Sequence, residues 1–129
     1  MAQGAMGKTL VDTNIFIDIF KGNKSLEDKI FALDVAINTI IYVELIQGSK
    51  SHQEVSAIEQ YLLQFENVSL DSPISLKTVE LIKHYSGSKG LRLADGFIAA
   101  TSIVKEYPLL TFNKSDFNFI SDLKFLTID

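Results

Sequence analysis

The stretch that most constrains the fold is Leu10–Phe20, LVDTNIFIDIF. It is an apolar run of strand length that breaks at Asp12, Thr13 and Asn14, then resumes with Ile15, Phe16, Ile19 and Phe20 at helical spacing. A short apolar run ending in a carboxylate and cap-forming residues predicts a buried strand over 8–12. That strand delivers Asp12 to the edge of a sheet and hands the chain directly to a helix over 14–20, stopped at Gly22. A strand passed straight into a helix cannot return as a hairpin, so its neighbours must pair with it in parallel.

The same alternation continues along the chain. Strands are predicted over 35–38, 68–70, 108–112 and 125–128. Ser25 with Asp28 forms a capping box that opens a short helix through Leu33, and Ser51 with Glu54 opens a second one reaching about Phe65. The latter presents Val55, Ile58, Leu62 and Phe65 to the core. Thr39 caps a helix over 40–47 that ends at Gly48, and Ser72 followed by Pro73 opens another that runs to about Tyr85. Ser86–Gly90, SGSKG, reads as a flexible loop. Leu93–Val104 is apolar on nearly every face and reads as a buried central helix. The sum is an α/β domain of three layers, α/β/α, with a mostly parallel five-stranded sheet. Ligands of such sheets sit beyond the carboxyl ends of the strands, where strand order reverses.

At 129 residues the chain is long enough for one domain burying roughly two-thirds of the surface of its unfolded form. Residues 1–7 are read as a tag remnant, with neither the basic segment nor the apolar core of a secretory signal, which leaves 8–129 as the domain. No apolar run reaches the roughly 18 residues of a membrane span. The absence of cysteine removes disulfides, zinc-thiolate sites and cysteine nucleophiles together. A cytoplasmic setting is the expectation. A net charge of -4 argues against a broad basic surface, so any contact with nucleic acid is local or metal-mediated.

Four acids fall where a site is expected: Asp12 after the first strand, Glu44 on the helix after the second, Asp95 opening the buried helix, and Asp116 after the fourth strand. Singly, Asp12 and Asp95 are well explained as helix caps, and Glu44 and Asp116 as solvated side chains. Together they have a cost. Two carboxylates about 4 Å apart repel by roughly 4 kcal/mol at an effective dielectric of 20, so a true cluster needs cations. Hard divalent ions, Mg²⁺ or Mn²⁺, suit oxygen ligands. Such a site serves phosphodiester hydrolysis without a histidine or serine nucleophile, and His52 and His84 sit among polar neighbours as surface residues. Thr13 and Asn14 follow Asp12 closely enough to orient it.

The segments LVDTNIFI (Leu10–Ile17), VELIQG (Val43–Gly48), LADGFIAAT (Leu93–Thr101) and TFNKSDF (Thr111–Phe117) resemble the four signatures of the PIN-domain ribonucleases, in order and at typical spacing. The resemblance implies a parallel sheet of order 3-2-1-4-5 and an endoribonuclease dependent on Mg²⁺ or Mn²⁺. At this length the chain is most similar to the VapC-like toxins of toxin-antitoxin pairs, which implies an RNA substrate, an antitoxin protein as partner and a homodimer. Asp12, Glu44 and Asp95 match the metal ligands of that family, Asp116 the fourth acid, and Asn14 a polar residue that orients the first acid. Thr111 and Asn113 match the polar positions before the fourth acid. The sequence departs from the pattern at Asn38–Thr39, where the family commonly has a serine; Thr39 is then the substitute that supports Glu44.

Arg92, the single arginine, lies three residues before Asp95. With Lys89 and Lys114 it is placed to hold RNA phosphates at the rim of the site. Apolar positions over 40–46 and 55–65 exceed what one sheet face needs and leave surface for a two-fold contact. Two other functions compete. One is a PIN nuclease that processes RNA outside any toxin-antitoxin pair. The other is a phospho-acceptor receiver domain of similar build with Asp71 as acceptor, disfavoured because Asp12 has no acidic neighbour and no lysine follows the last strand.

Overall fold

A computed structural model describes residues 7–128; positions 1–6, most of the segment read as a tag remnant, lie outside the described residues. The elements are β1 (Thr9–Val11), α1 (Thr13–Phe20), α2 (Lys24–Phe31), β2 (Val35–Asn38), α3 (Thr39–Gln47), α4 (His52–Leu62), β3 (Glu66–Val68), α5 (Ser72–Lys89), α6 (Leu93–Lys105), β4 (Leu109–Leu110) and a 3₁₀ turn at Lys114–Asp116. All sheet pairs are parallel, in the order β3-β2-β1-β4. β1 is therefore central, with Leu10 opposite both Ala36 and Leu109. Leu10, Val11, Ala36, Ile37 and Leu109 are fully buried, as expected of strands covered on both faces. Among the described residues no helix is long and apolar enough to cross a membrane.

The sheet has four strands, not five. The segment expected as a fifth strand pairs only once, Phe125 beside Leu109, through Leu109 N–H to the Lys124 carbonyl (2.8 Å) and Leu126 N–H to the Leu109 carbonyl (2.9 Å). It has the position of a fifth strand but not its length. β3 lies two residues before its expected place, because its first residues, Glu66 and Asn67, are exposed at the sheet edge and carry no apolar signal.

Several helix starts shift by one or two residues for a common reason. Where two cap-forming residues are adjacent, the first takes the cap: Asn38 instead of Thr39, accepting from Ile41 N–H at 2.9 Å, and Asp71 instead of Ser72, accepting from Ile74 N–H at 3.1 Å. Asn23, not Ser25, caps α2. Ser51 caps α4 as expected, but Glu54 reaches back to Lys50 N–H instead of completing the box at Ser51. That helix ends at Leu62, and of its anticipated core face only Leu62 is fully buried. The Ser86–Gly90 segment is not a loop. α5 continues through Lys89 and stops at Gly90, whose φ of 72° is the left-handed C-terminal conformation that glycine adopts without strain.

α6 is buried on nearly every face, as expected: Gly96 and Ile98–Ser102 are buried, and of its residues only Leu93, at 66%, is exposed. Gly96 lets α5 approach closely, since a Cβ there would stand 2.9 Å from the Ile82 Cδ1. Asn38 ties the layers together. It is fully buried, its Oδ1 caps α3, and its Nδ2 donates to the Thr101 hydroxyl of α6 at 2.9 Å. Asn38→Ala removes both interactions and is expected to cost about 1–3 kcal/mol, read as a lower urea midpoint at unchanged slope. A change within experimental error would show that α3 and α6 are held by apolar packing alone.

Candidate active site

Asp12 leaves β1 as the N-cap of α1 and is 5% exposed. Its Oδ1 accepts from Thr13 N–H at 2.7 Å and its Oδ2 from the Thr111 hydroxyl at 2.8 Å. Thr111 in turn accepts from Asn14 Nδ2 (3.2 Å) and Asn113 N–H (3.0 Å), and Phe112 N–H donates to Asn14 Oδ1 (3.2 Å). The segment after β4 is thus laced to the start of α1, and the lacing fixes the Asp12 carboxylate at the strand ends. Asn14 itself makes only a long contact with Asp12, 3.4 Å, and acts on it mainly through Thr111.

Glu44 projects from α3 and accepts the Thr13 hydroxyl at 2.6 Å. Thr13 therefore serves both acids, its N–H holding Asp12 and its hydroxyl holding Glu44. The expected supporter of Glu44, Thr39, points elsewhere and donates to the Val68 carbonyl at 3.5 Å. Asp95 stands in the first turn of α6, where Arg92 occupies the cap position, so Asp95 is not the helix cap. Asp116 ends the 3₁₀ turn and is exposed.

The structure brings these four acids to one hollow of about 490 Å³, lined also by Thr13, Asn14 and Asn113. Ile17, Gln47 and Gly48 line it too; they lie within the LVDTNIFI and VELIQG segments but are not among the predicted site residues. Among the described residues none of the four carboxylates makes an ion pair. Burial pushes the Asp95 carboxyl up to about 6, with the negative charges of Asp12, Asp116 and Glu44 adding to the effect and Arg92 opposing it. Asp12 is raised as well, first by burial, while its hydrogen bonds from Thr111 and Thr13 pull the other way. Lys89 and Arg92 line an adjoining hollow that shares Asp95 and Asp116. Lys114 is not at that rim: its Nζ donates to Thr127 at 3.0 Å and lies 5.8 Å from the centre of the Phe125 ring. Asp71 is occupied as the cap of α5 after the edge strand.

The donor set is of hard oxygens with excess negative charge, which fits a divalent cation such as Mg²⁺ or Mn²⁺. Among the described residues no three acidic or histidine side chains converge closely enough to hold one ion. Mg²⁺ does not need that, since it keeps several waters and binds through one or two carboxylates.

The chain is thus an α/β domain whose parallel strands end in an acidic hollow with no ion pair among the described residues. The PIN domain family model matches residues 9–121, and the chain belongs to that family. Within it the chain is similar to ribonuclease VapC1 of Methanocaldococcus jannaschii, 33% identical over 117 residues that cover 89% of this chain and 82% of the relative. Ribonuclease VapC of Rickettsia bellii is 29% identical, covering 92% of this chain and 95% of its own. Among solved structures, a toxin-antitoxin complex from Klebsiella pneumoniae superposes with a TM-score of 0.77 at 29% identity, covering 92% of this chain and 96% of the other. VapBC2 from Rickettsia felis, bound to a DNA fragment from their promoter, gives 0.80 at 25% identity, covering 95% of this chain and 100% of the other.

The raised Asp95 carboxyl sets a pH dependence. Between its ordinary value of 3.8 and about 6 the folded protein holds a proton that the unfolded chain has released, so stability falls as pH rises through that window. Asp95→Asn removes this contribution. In the absence of divalent ions its melting temperature, relative to wild type, is expected to rise from pH 4 to pH 7, as followed by circular dichroism. A difference that stays flat with pH would mean that Asp95 ionises without penalty.

Proposed function

We propose that the protein is a metal-dependent endoribonuclease that hydrolyses RNA phosphodiesters, acting as the toxin member of a toxin-antitoxin pair. The observation that carries this reading is the convergence of Asp12, Glu44, Asp95 and Asp116 on one hollow with no cation of the protein paired to them. Asp12, Glu44 and Asp95 would hold the metal between them, one or two directly and the rest through its waters, with Asp116 at its margin. A bound Mg²⁺ or Mn²⁺ supplies charge against the attacked phosphate and activates water as the nucleophile. The remaining work belongs to the chain itself. Thr111 and the Thr13 N–H keep Asp12 pointing out of the strand ends, and the Thr13 hydroxyl turns Glu44 into the same space. These contacts fix the ligands before substrate arrives, which spares the reordering that a loose site would need.

The toxin assignment draws on the Klebsiella pneumoniae toxin-antitoxin complex, which matches over nearly the whole of both chains. An antitoxin protein is then the partner that holds the enzyme inactive. A homodimer is part of the same reading, supported by the exposed apolar side chains of Val43 on α3 and Leu63 just past α4. Light scattering at micromolar concentration is expected to give the mass of two chains; the mass of one would remove the dimer.

Asp12→Asn and Asp95→Asn should each abolish RNA cleavage while leaving the circular dichroism spectrum unchanged. The loss should exceed the roughly 10–100-fold that removing a supporting residue such as the Thr13 hydroxyl costs. Mg²⁺ should raise the melting temperature of the wild type more than that of Asp95→Asn. Full activity in EDTA would defeat the proposal.

A further inference from the structure

Next to the acidic hollow, between the end of α5 and the start of α6, lies a second one of about 380 Å³. It is lined by Lys89, Arg92 and Ser115 together with Asp95 and Asp116, which it shares with the acidic hollow. We propose that this hollow is a phosphate subsite in which Lys89 and Arg92 hold a backbone phosphate of single-stranded RNA adjacent to the one that is cut. The proposal rests on the nuclease reading above.

Three observations carry it. First, the two cations are placed by the backbone and not by flexible side chains in a loop. α5 is helical through Lys89, Gly90 turns the chain with a φ of 72°, and Arg92 opens α6. Second, both cations are unspent. Among the described residues neither Arg92 nor Lys89 forms an ion pair, although two carboxylates line the same hollow. Cations whose task was to neutralise Asp95 and Asp116 would be paired to them; these stand ready for a third group. The planar guanidinium of Arg92 suits two phosphate oxygens at once.

Third, the opposite side of the acidic hollow is chemically different. There Glu44 opens onto a groove that also has lysines, Lys21 and Lys50, but whose other walls include Ile17, Phe20, Ile58 and Tyr61. A strand crossing the acids thus finds cations on both sides, but a mostly polar lining only beside Lys89 and Arg92. A chain of net charge -4 repels RNA at long range, so local positive charge beside the acids is what brings a phosphate to them.

The test measures binding separately from cleavage. Fluorescence anisotropy of a short fluorescein-labelled oligouridylate is followed with Mg²⁺ on the non-cleaving Asp12→Asn protein, alone and with Lys89→Gln, Arg92→Gln or both. Lys83→Gln, on the outer face of the same helix, controls for net charge. The double substitution is expected to weaken binding about tenfold, and to lower the slope of log affinity against log salt by about 0.7 for each lost phosphate contact. Lys83→Gln is expected to change neither. RNA cleavage by the wild type is read in parallel. If the wild type cuts RNA and the double substitution moves neither affinity nor slope beyond the Lys83→Gln control, the subsite falls and the nuclease reading stands. If binding depends on Arg92 and Lys89 but no RNA is cut, the subsite survives as an RNA contact and the nuclease reading fails. Polyglutamate that binds as tightly as the oligouridylate, with the same dependence on Arg92, would assign the hollow to an acidic peptide and overturn the proposal.

Discussion

The structure depends on holding one carboxylate, Asp12, nearly out of water at the end of the central strand while three others face the same space. Burial and like charge both raise the free energy of the ionised form, and each is a sizeable fraction of the marginal stability of a small domain. The compensation is local and directional. Asp12 caps α1, and Asp95 lies in the first turn of α6, so two of the acids sit at the positive ends of helices, a placement worth about 0.3–1 kcal/mol each. Glu44, in the body of α3, has no such help and takes the Thr13 hydroxyl instead. What remains unbalanced after these contacts is net negative charge, and a cation from outside is the simplest remedy.

Convergence of acids from four separate elements requires those elements to be fixed against one another, and a few small contacts do this. The parallel order β3-β2-β1-β4 aligns the carboxyl ends of the strands. Asn38 joins β2, α3 and α6 through its two amide atoms, coupling the helix of Glu44 to the helix of Asp95. Gly96 admits Ile82 beside Asp95, so α5 and α6 pack closely, and the same pairing sets Lys89 and Arg92 beside the acids. Site geometry is thus set by helix packing for Glu44 and Asp95 and by the segment after β4 for Asp12.

How far this was legible in the sequence follows from the range of each interaction. β2 matches its predicted span because buried parallel strands write themselves as apolar runs, and the order of the four strands is the one that the family resemblance implies. β3 was misplaced because an edge strand with exposed Glu66 and Asn67 writes no such run. The fifth strand was overcalled because Phe125–Ile128 has strand composition but pairs with Leu109 only once. Ser86–Lys89 reads as loop by propensity, yet continues α5 although all four residues are exposed, and the helix stops only where Gly90 supplies the left-handed turn. The acids stood out because each follows a strand or opens a helix. The Thr13–Glu44 bond spans 31 residues and the Asn38–Thr101 bond 63, and no local pattern announces either.

The distribution of ion pairs completes the physical case. The lysines that do pair, Lys8 with Asp34, Lys24 with Glu27 and Asp28, and Lys77 with Glu80, involve none of the four acids of the hollow. Had one lysine stood within contact of Asp12 or Asp95, Coulomb attraction would have neutralised the hollow internally and left no field for an external ion. Instead Arg92 opposes the rise of the Asp95 carboxyl without pairing to it, and Lys89 lines the same hollow. That arrangement keeps the acids electrostatically open and offers positive charge beside them, the two conditions that a metal ion and a phosphate strand respectively require.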